Sequence, residues 1–139
     1  MSLQSLFSQA NFRRTIESYT AQNGWTLDDI NDTRAKLRFR MQSGRIQSLF
    51  IYRFENTLEF SVPSAAIFDS EAAIPDVIST KLLLRNSQQK VGFWCIEKIQ
   101  GSYVYSCMHN AEMQLIDAAF FAIIVRSLIK ECDDFEGLF

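Results

Sequence analysis

Hydrophobic and polar positions change their spacing several times along the chain, and each spacing predicts one kind of element. Over residues 8–23, Phe12, Ile16 and Tyr19 recur at intervals of four and three, which predicts an amphipathic helix. Residues 34–41 then alternate strictly between basic and apolar side chains. This period of two predicts a strand with one face buried.

Two further strands are predicted after this one, over residues 46–54 and 57–62, where aromatic and β-branched side chains are frequent. Pro63 is expected to end the second of them, because proline cannot donate to a ladder. Residues 25–27 are expected to form a short strand and the polar residues 28–32 a turn. The short connections predict an antiparallel meander of three main strands.

The second half of the chain predicts a helix, a hairpin and a long last helix. Pro75 suits only the first turn of its helix, and Asn110 is a suitable N-cap for the last one. A turn at Gln100-Gly101 closes the hairpin. The predicted ranges are 73–88 for the helix, 91–99 and 102–108 for the hairpin strands, and 111–133 for the last helix.

This order of elements predicts an α+β domain over residues 1–139, since neither a linker nor an internal repeat divides the chain. The predicted architecture is a helix, a three-stranded antiparallel meander, a helix, a β-hairpin and a long C-terminal helix. All helices are expected to pack on one face of the sheet.

The last predicted helix is apolar almost all round, so it must bury more than one side. Its apolar residues include Phe121, Ile124 and Leu128. They are candidates for a dimer seam or for a groove that takes a partner helix. Burial within one subunit is the alternative, and the pattern does not decide between the two.

The chain resembles the type III secretion chaperones in fold, and more closely the bacterial YbjN family, which shares that fold. The resemblance covers nearly the whole order of elements. It is strongest where Leu82-Leu83-Leu84-Arg85-Asn86 ends a helix and Val91-Gly92-Phe93-Trp94 opens a strand, followed by the Gln100-Gly101 turn and the apolar last helix. The resemblance implies a non-enzymatic, chaperone-like binding role, often as a dimer, and transfers no catalytic residue.

A row of cations is the most distinctive polar feature of the predicted sheet. Arg34, Lys36, Arg38 and Arg40 would project from one face of one strand. They are candidates for binding an acidic protein segment or, in a regulator, nucleic acid. The alternative is a solvated sheet face or an edge that charge protects from aggregation.

Composition narrows the partners and the compartment. The net charge of −2 gives no general attraction to nucleic acid or to an anionic membrane, so electrostatic binding would need a local patch. The longest apolar stretch, residues 115–129, is shorter than the about 20 residues that a bilayer requires and includes Asp117 and Arg126. Three cysteines at unrelated spacings favour a reducing cytoplasm.

Candidate catalytic chemistry is sparse. His109 is the single histidine, and Cys95 and Cys107 flank the hairpin turn. A three-residue loop would place these cysteines opposite each other, whereas a two-residue loop would put them out of register. The chain carries no glycine-rich phosphate loop, nucleophile elbow or zinc spacing. We therefore expect neither catalytic residues nor a cofactor or metal site.

Together these patterns predict a homodimeric, chaperone- or adaptor-like domain that binds a protein partner in the cytoplasm. The alternative is a nucleic-acid-binding regulator that uses the basic strand.

Overall fold

The computed structural model describes residues 3–138, with side chains from residue 11 onwards. Within this part, three α-helices and six strands follow in α+β order. The helices are α1 (Leu3–Gln22), α2 (Asp76–Asn86) and α3 (Ala118–Glu136); the strands are β1 (Leu27–Ile30), β2 (Arg34–Arg40), β3 (Ile46–Phe54), β4 (Thr57–Phe68), β5 (Phe93–Ile99) and β6 (Ser102–Glu112).

The six strands form one antiparallel sheet in the order β1-β2-β3-β4-β6-β5. The meander and the hairpin therefore join through β4 and β6, and β1 and β5 form the two edges. Side chains that alternate along each strand divide the sheet into an inner face and an outer face.

The inner face carries the core and all three helices, as the sequence predicts. Phe60 of β4 packs edge-on against Phe121 of α3 with ring centroids 5.7 Å apart. Phe12 and Ile16 of α1 lie in the same cluster and are fully buried. α2 joins this face through Ser79, whose hydroxyl lies 2.7 Å from that of Tyr105 on β6. The outer face is not covered by any described helix.

The predicted turn at residues 28–32 is wrong, because its first three residues belong to the edge strand β1. Asp29 pairs with Lys36 and Ile30 with Ala35 across the ladder. The turn proper is shorter and is held by Asn31, whose side chain accepts the N–H of Arg34 at 2.8 Å. The meander thus has four strands.

The predicted end of β4 at Pro63 is also wrong. The strand continues to Phe68, and the register with β6 shifts between Pro63 and Ile67. Such a bulge interrupts the ladder locally and accommodates a proline inside a strand.

Pro75 lies just before α2, not within its first turn, and a short 3₁₀ helix (Glu71–Ala73) precedes it. Proline disfavours a helical conformation in the residue before it, which here is Ile74 with ψ of 124°. The helix therefore begins later than residue 73.

The last helix begins seven residues later than predicted, at Ala118 rather than at residue 111. Asn110 is not its cap, because Asn110 is still paired with Glu59 in the sheet. Asp117 caps the helix instead, accepting the N–H of Phe120 at 2.8 Å. Thus β6 is longer and α3 is shifted towards the C-terminus.

Candidate partner-binding surface

The predicted basic row lies on the outer face of β2, as its alternation requires. Ala35 and Leu37 point the other way and are buried in the core. The cations are opposite the outward residues of β3, with Lys36 beside Phe50 and Arg38 beside Ser48.

Two of the four cations are already paired within the chain. Arg34 lies 3.1 Å from the carboxylate of Asp29, and Lys36 lies 3.6 Å from that of Asp28. The Lys36 ammonium also lies 5.6 Å from the centre of the Phe50 ring. Strand β1 therefore supplies the carboxylates for this half of the row.

Arg38 and Arg40 differ from this pair. Both are exposed, and neither forms an ion pair with any residue between 11 and 138. The pairing between β1 and β2 extends only as far as Leu37, so no β1 residue lies beside them.

The backbone groups of these two arginines point away from β3. Asn31 N–H donates to the Arg34 carbonyl on the β1 side, whereas Met41 N–H donates to the Arg45 carbonyl on the β3 side. Because backbone groups alternate in direction along an antiparallel strand, the N–H and C=O groups of even-numbered β2 residues point away from β3. The groups of Arg38 and Arg40 thus point towards the segment that leads into β1, where Trp25 packs against Phe39 with ring centroids 5.3 Å apart.

Next to the cations, β3 adds an aromatic row to the outer face. Phe50 and Tyr52 stack with centroids 6.1 Å apart and an interplanar angle of 15°. Phe54 and Ile46, on the same face, are largely exposed. The outer face near β2 therefore offers cations and apolar side chains together.

The other half of the outer face is acidic. Glu97 of β5 accepts the hydroxyl of Ser61 of β4 at 2.8 Å. Partial burial, and then the nearby Glu97 carboxylate, raise the pKa of Glu59. Neither Glu59 nor Glu97 forms an ion pair with Arg38 or Arg40 in the described part of the chain, so the acidic half does not neutralise these two cations.

The α3 candidates Phe121, Ile124 and Leu128 are in the subunit's own core, each 0% exposed. To contact a partner they would first have to leave that core. At these three positions the structure therefore favours burial within one subunit, which was the alternative to a dimer seam.

A second apolar surface, which we call the α2–β5 surface, was not singled out from the sequence. It consists of Val77 (66% exposed), Leu83 (67%) and Leu84 (65%) of α2 with Ile96 (45%) of β5. The sequence signal was the run Leu82-Leu83-Leu84, since three consecutive helical residues cannot all face one core. Only Leu82 is buried.

The opposite end of the inner face is closed by a buried carboxylate. Asp133 of α3 accepts hydrogen bonds from Ser43 Oγ at 2.9 Å, Arg45 Nε at 3.0 Å and Gln47 Nε2 at 3.1 Å. Burial alone would raise the pKa of Asp133, but these hydrogen bonds outweigh it and hold the pKa below its usual value. This network attaches the end of α3 to the β2–β3 hairpin.

The thiols do not form a nucleophilic or redox pair. The hairpin turn has two residues, so Cys95 is opposite Ser106 and Cys107 is opposite Trp94, on different faces of the sheet. Burial raises the pKa of each of these two thiols to about 12, which keeps them protonated at neutral pH. All three cysteines are free.

His109 acts within the structure as a hydrogen-bond acceptor. It lies in β6, not at a strand–helix junction, and its Nδ1 accepts the N–H of Gly92 at 3.0 Å. Burial lowers its pKa. In the described part of the chain no three His, Cys, Asp or Glu side chains are grouped as metal ligands.

None of the helices in residues 3–138 is both long enough and apolar enough to span a bilayer.

Comparison with known proteins identifies the fold. No protein-family model and no curated protein matches the chain. Among solved structures, one chain of the HopA1–SchA chaperone–effector complex is similar, with a TM-score of 0.61 at 8% identity over 92% of this chain and 94% of its own. YbjN of E. coli, described as a putative transcription regulator, is similar with a TM-score of 0.60 at 14% identity over 86% of this chain and 84% of its own.

The chain therefore has the α+β fold of the type III secretion chaperones. This is also the fold of YbjN, so the resemblance expected from the sequence is confirmed for the fold.

Proposed function

We propose that residues 1–139 form one non-enzymatic, chaperone- or adaptor-like domain that binds a protein partner in the cytoplasm as a homodimer. The observation that carries the proposal is the α2–β5 surface, where four large aliphatic side chains stay exposed although the same chain buries a full core. The three free thiols support a reducing compartment.

The α2–β5 surface suits a second copy of the chain. Val77 and Leu84 are seven residues apart and thus lie on one side of α2, away from the buried Leu82. Leu83 is beside Ile96, next to the free edge of β5. A two-fold axis would place the α2–β5 surface of one subunit against the same surface of the other, as in most homodimers.

Sedimentation equilibrium tests this association. Val77→Asp with Leu84→Asp is expected to convert a dimer into a monomer, because two carboxylates would be buried unpaired in the seam. Leu115→Asp is the matched control, since Leu115 is 83% exposed and lies outside the surface. A monomeric wild-type chain, or equal loss of the dimer in the control, would refute the α2–β5 surface as the dimer interface.

Recognition of the partner is assigned to the outer face of β2 and β3. The exposed side chains of Arg38 and Arg40 have no ion-pair partner among residues 11–138, and Phe50, Tyr52 and Phe54 provide apolar contact area. A chaperone-like domain binds its partner without catalysing a reaction. Thiols that stay protonated at neutral pH are consistent with that role.

Affinity capture from native lysate, with and without nuclease, tests the binding role. The expected result is one protein recovered in both lysates in a fixed ratio to the tagged chain. Recovery that disappears after nuclease treatment would contradict the proposal and favour the regulator. Recovery of nothing would also contradict it.

Binding to nucleic acid is the second candidate, since Arg38 and Arg40 lie beside an aromatic row that bases could stack on. The charges around it are less favourable. Two of the four cations are already neutralised, and Glu59 and Glu97 lie on the same face. We therefore rank it below protein binding.

A further inference from the structure

A cavity of about 570 Å³ lies between α2 and α3, and we call it the α2–α3 cavity. Its floor is formed by Leu82, Trp94 and Phe135, each of which is more than nine-tenths buried. The rings of Trp94 and Phe135 lie with their centroids 4.8 Å apart, and Ile78 and Leu138 extend the apolar lining towards solvent. A cavity of this volume with a mainly apolar lining is typical of a site for a small molecule.

The floor of the α2–α3 cavity offers little to water. Its three side chains contain one polar atom, the indole nitrogen of Trp94, and this N–H already donates to the Glu131 carboxylate at 3.2 Å. Water molecules over the floor therefore lie against apolar surface with few hydrogen-bonding partners. An apolar group that displaces them is favoured, because it buries this surface without breaking hydrogen bonds of the protein.

The rim of the cavity carries four charged side chains, of which three are compensated within the chain. Arg85 of α2 donates to the Glu131 carboxylate of α3 at 2.8 Å, and Asp134 lies 2.7 Å from the ammonium of Lys130. Lys81 is exposed and forms no ion pair with any residue between 11 and 138. It precedes Arg85 by four residues and thus lies on the same side of α2. The rim is therefore left with one positive charge.

From the apolar floor and the single uncompensated cation we infer that the α2–α3 cavity binds a small amphipathic acid. Its apolar body would lie over Trp94 and Phe135, and its one carboxylate would lie beside Lys81. The charge selects this class of ligand, because a neutral molecule leaves Lys81 uncompensated and a cationic one adds a like charge at the rim.

This site is separate from the surfaces in the proposed function, and the inference does not rest on that function. Leu83 and Ile96 lie together on the β5 side of α2, whereas the α2–α3 cavity opens on the α3 side. The outer face of β2 and β3 is on the other side of the sheet from both helices.

Nuclear magnetic resonance titration of the full chain with octanoate tests the inference, because it detects weak binding and locates it. The chain has two tryptophans, Trp25 and Trp94, and of these Trp94 lines the cavity. Octanoate is expected to shift the indole N–H signal of Trp94 saturably and to leave that of Trp25 in place.

Two further compounds with the same apolar chain separate the head group from the chain. These are 1-octanol, which is neutral, and octylamine, which is cationic at neutral pH. Octanoate is expected to bind about two- to five-fold more tightly than 1-octanol, as one exposed ion pair allows, and octylamine should bind most weakly. Raising the salt from about 20 mM to about 0.5 M should remove most of this difference.

Lys81→Gln should make octanoate and 1-octanol bind alike without weakening 1-octanol, because Lys81 is exposed and its removal leaves the floor intact. Lys81→Glu should reverse the order, so that octylamine binds more tightly than octanoate. Lys90→Gln is the matched control, since Lys90 is also exposed and lacks an ion-pair partner among residues 11–138 but does not line the cavity. It should keep the full preference for octanoate.

Four results would each overturn the inference. They are the absence of a saturable shift of the Trp94 signal, an equal response of the Trp25 signal, equal binding of the three compounds to the wild type, and a preference for octanoate that Lys81→Gln leaves intact.

Discussion

Two arginines at the β2–β3 turn, Arg45 and Arg40, have opposite surroundings. Arg45 Nε donates to the Asp133 carboxylate at 3.0 Å, and its Nη2 donates to the Asp133 carbonyl at 2.9 Å. Arg40 is exposed and lacks an ion-pair partner among residues 11–138. The same hairpin therefore contributes one cation to hold the fold together and presents another to solvent.

The difference extends to the two faces of the sheet. On the inner face, polar groups such as Gln47 and Asp133 are buried and hydrogen-bonded, so removing one of them takes away hydrogen bonds that water cannot readily replace. On the outer face beside β2, charges are exposed and individually contribute little to stability. Changes on the inner face should thus affect folding, and changes on the outer face should affect binding.

Asp133→Ala should have the largest effect on stability. It removes the acceptor of three side-chain hydrogen bonds and leaves Arg45 and Gln47 without their shared carboxylate. We expect the free energy of unfolding to fall by about 3 kcal/mol, because three hydrogen bonds to one buried carboxylate are lost together. Urea denaturation measures this.

Asp134→Ala is the control for that change, because its pair with Lys130 is solvent-exposed. We expect a loss below about 0.5 kcal/mol. Equal losses for the two neighbours would contradict the role given to the buried network.

Gly92→Ala should have the next largest effect on stability. Gly92 has φ of 87°, and an added Cβ would lie 2.5 Å from Cδ2 of Leu128 and 3.2 Å from the carbonyl oxygen of Met108. Because Leu128 is fully buried, it cannot move at low cost, and we expect a loss of about 2 kcal/mol. Gly44→Ala has a similar φ of 92° with nothing within 4 Å, so it should lose about half as much. Thermal unfolding of both variants separates the clash from backbone strain.

The pH dependence of stability tests His109. Burial lowers its folded-state pKa below the ordinary value of 6.5, so the unfolded chain binds the proton more readily. Above about pH 6.5 this group should make no pH-dependent contribution to stability. Below that pH, the free energy of unfolding should fall as the pH approaches the folded-state pKa of His109. Protonation would also remove the lone pair that accepts the Gly92 N–H. His109→Gln should flatten the dependence below about pH 6.5; an unchanged slope would disprove this assignment.

Arg38→Gln with Arg40→Gln should have the smallest effect on stability. Both side chains are exposed, so we expect the free energy of unfolding to change by less than about 0.5 kcal/mol. A loss near that of Asp133→Ala would mean that the outer cations hold the fold and would remove the contrast between the faces.

The sequence predicted the basic row and its face because alternation depends only on local strand geometry. It did not predict that half the row is neutralised. That result depends on β1, whose Asp28 and Asp29 look like turn residues until their pairing with β2 is known. The free cations Arg38 and Arg40 could therefore not be separated from Arg34 and Lys36 by pattern alone.

The boundary between β6 and α3 was missed for a related reason. Consecutive residues of β6, such as Ser106, Cys107 and Met108, are buried on both faces, so their pattern loses the period of two. The α2–β5 surface was missed because exposure of Leu83 and Leu84 depends on where α2 packs, which is a tertiary property.

The central claim is that this chain works as a homodimer that binds a protein. Native mass spectrometry of the complex purified through the tagged chain from its own cells tests it most directly. The account predicts a species with two copies of the chain and at least one other polypeptide, unchanged by nuclease. A single copy of the chain, a mass that includes nucleic acid, or a species without any other polypeptide would contradict it.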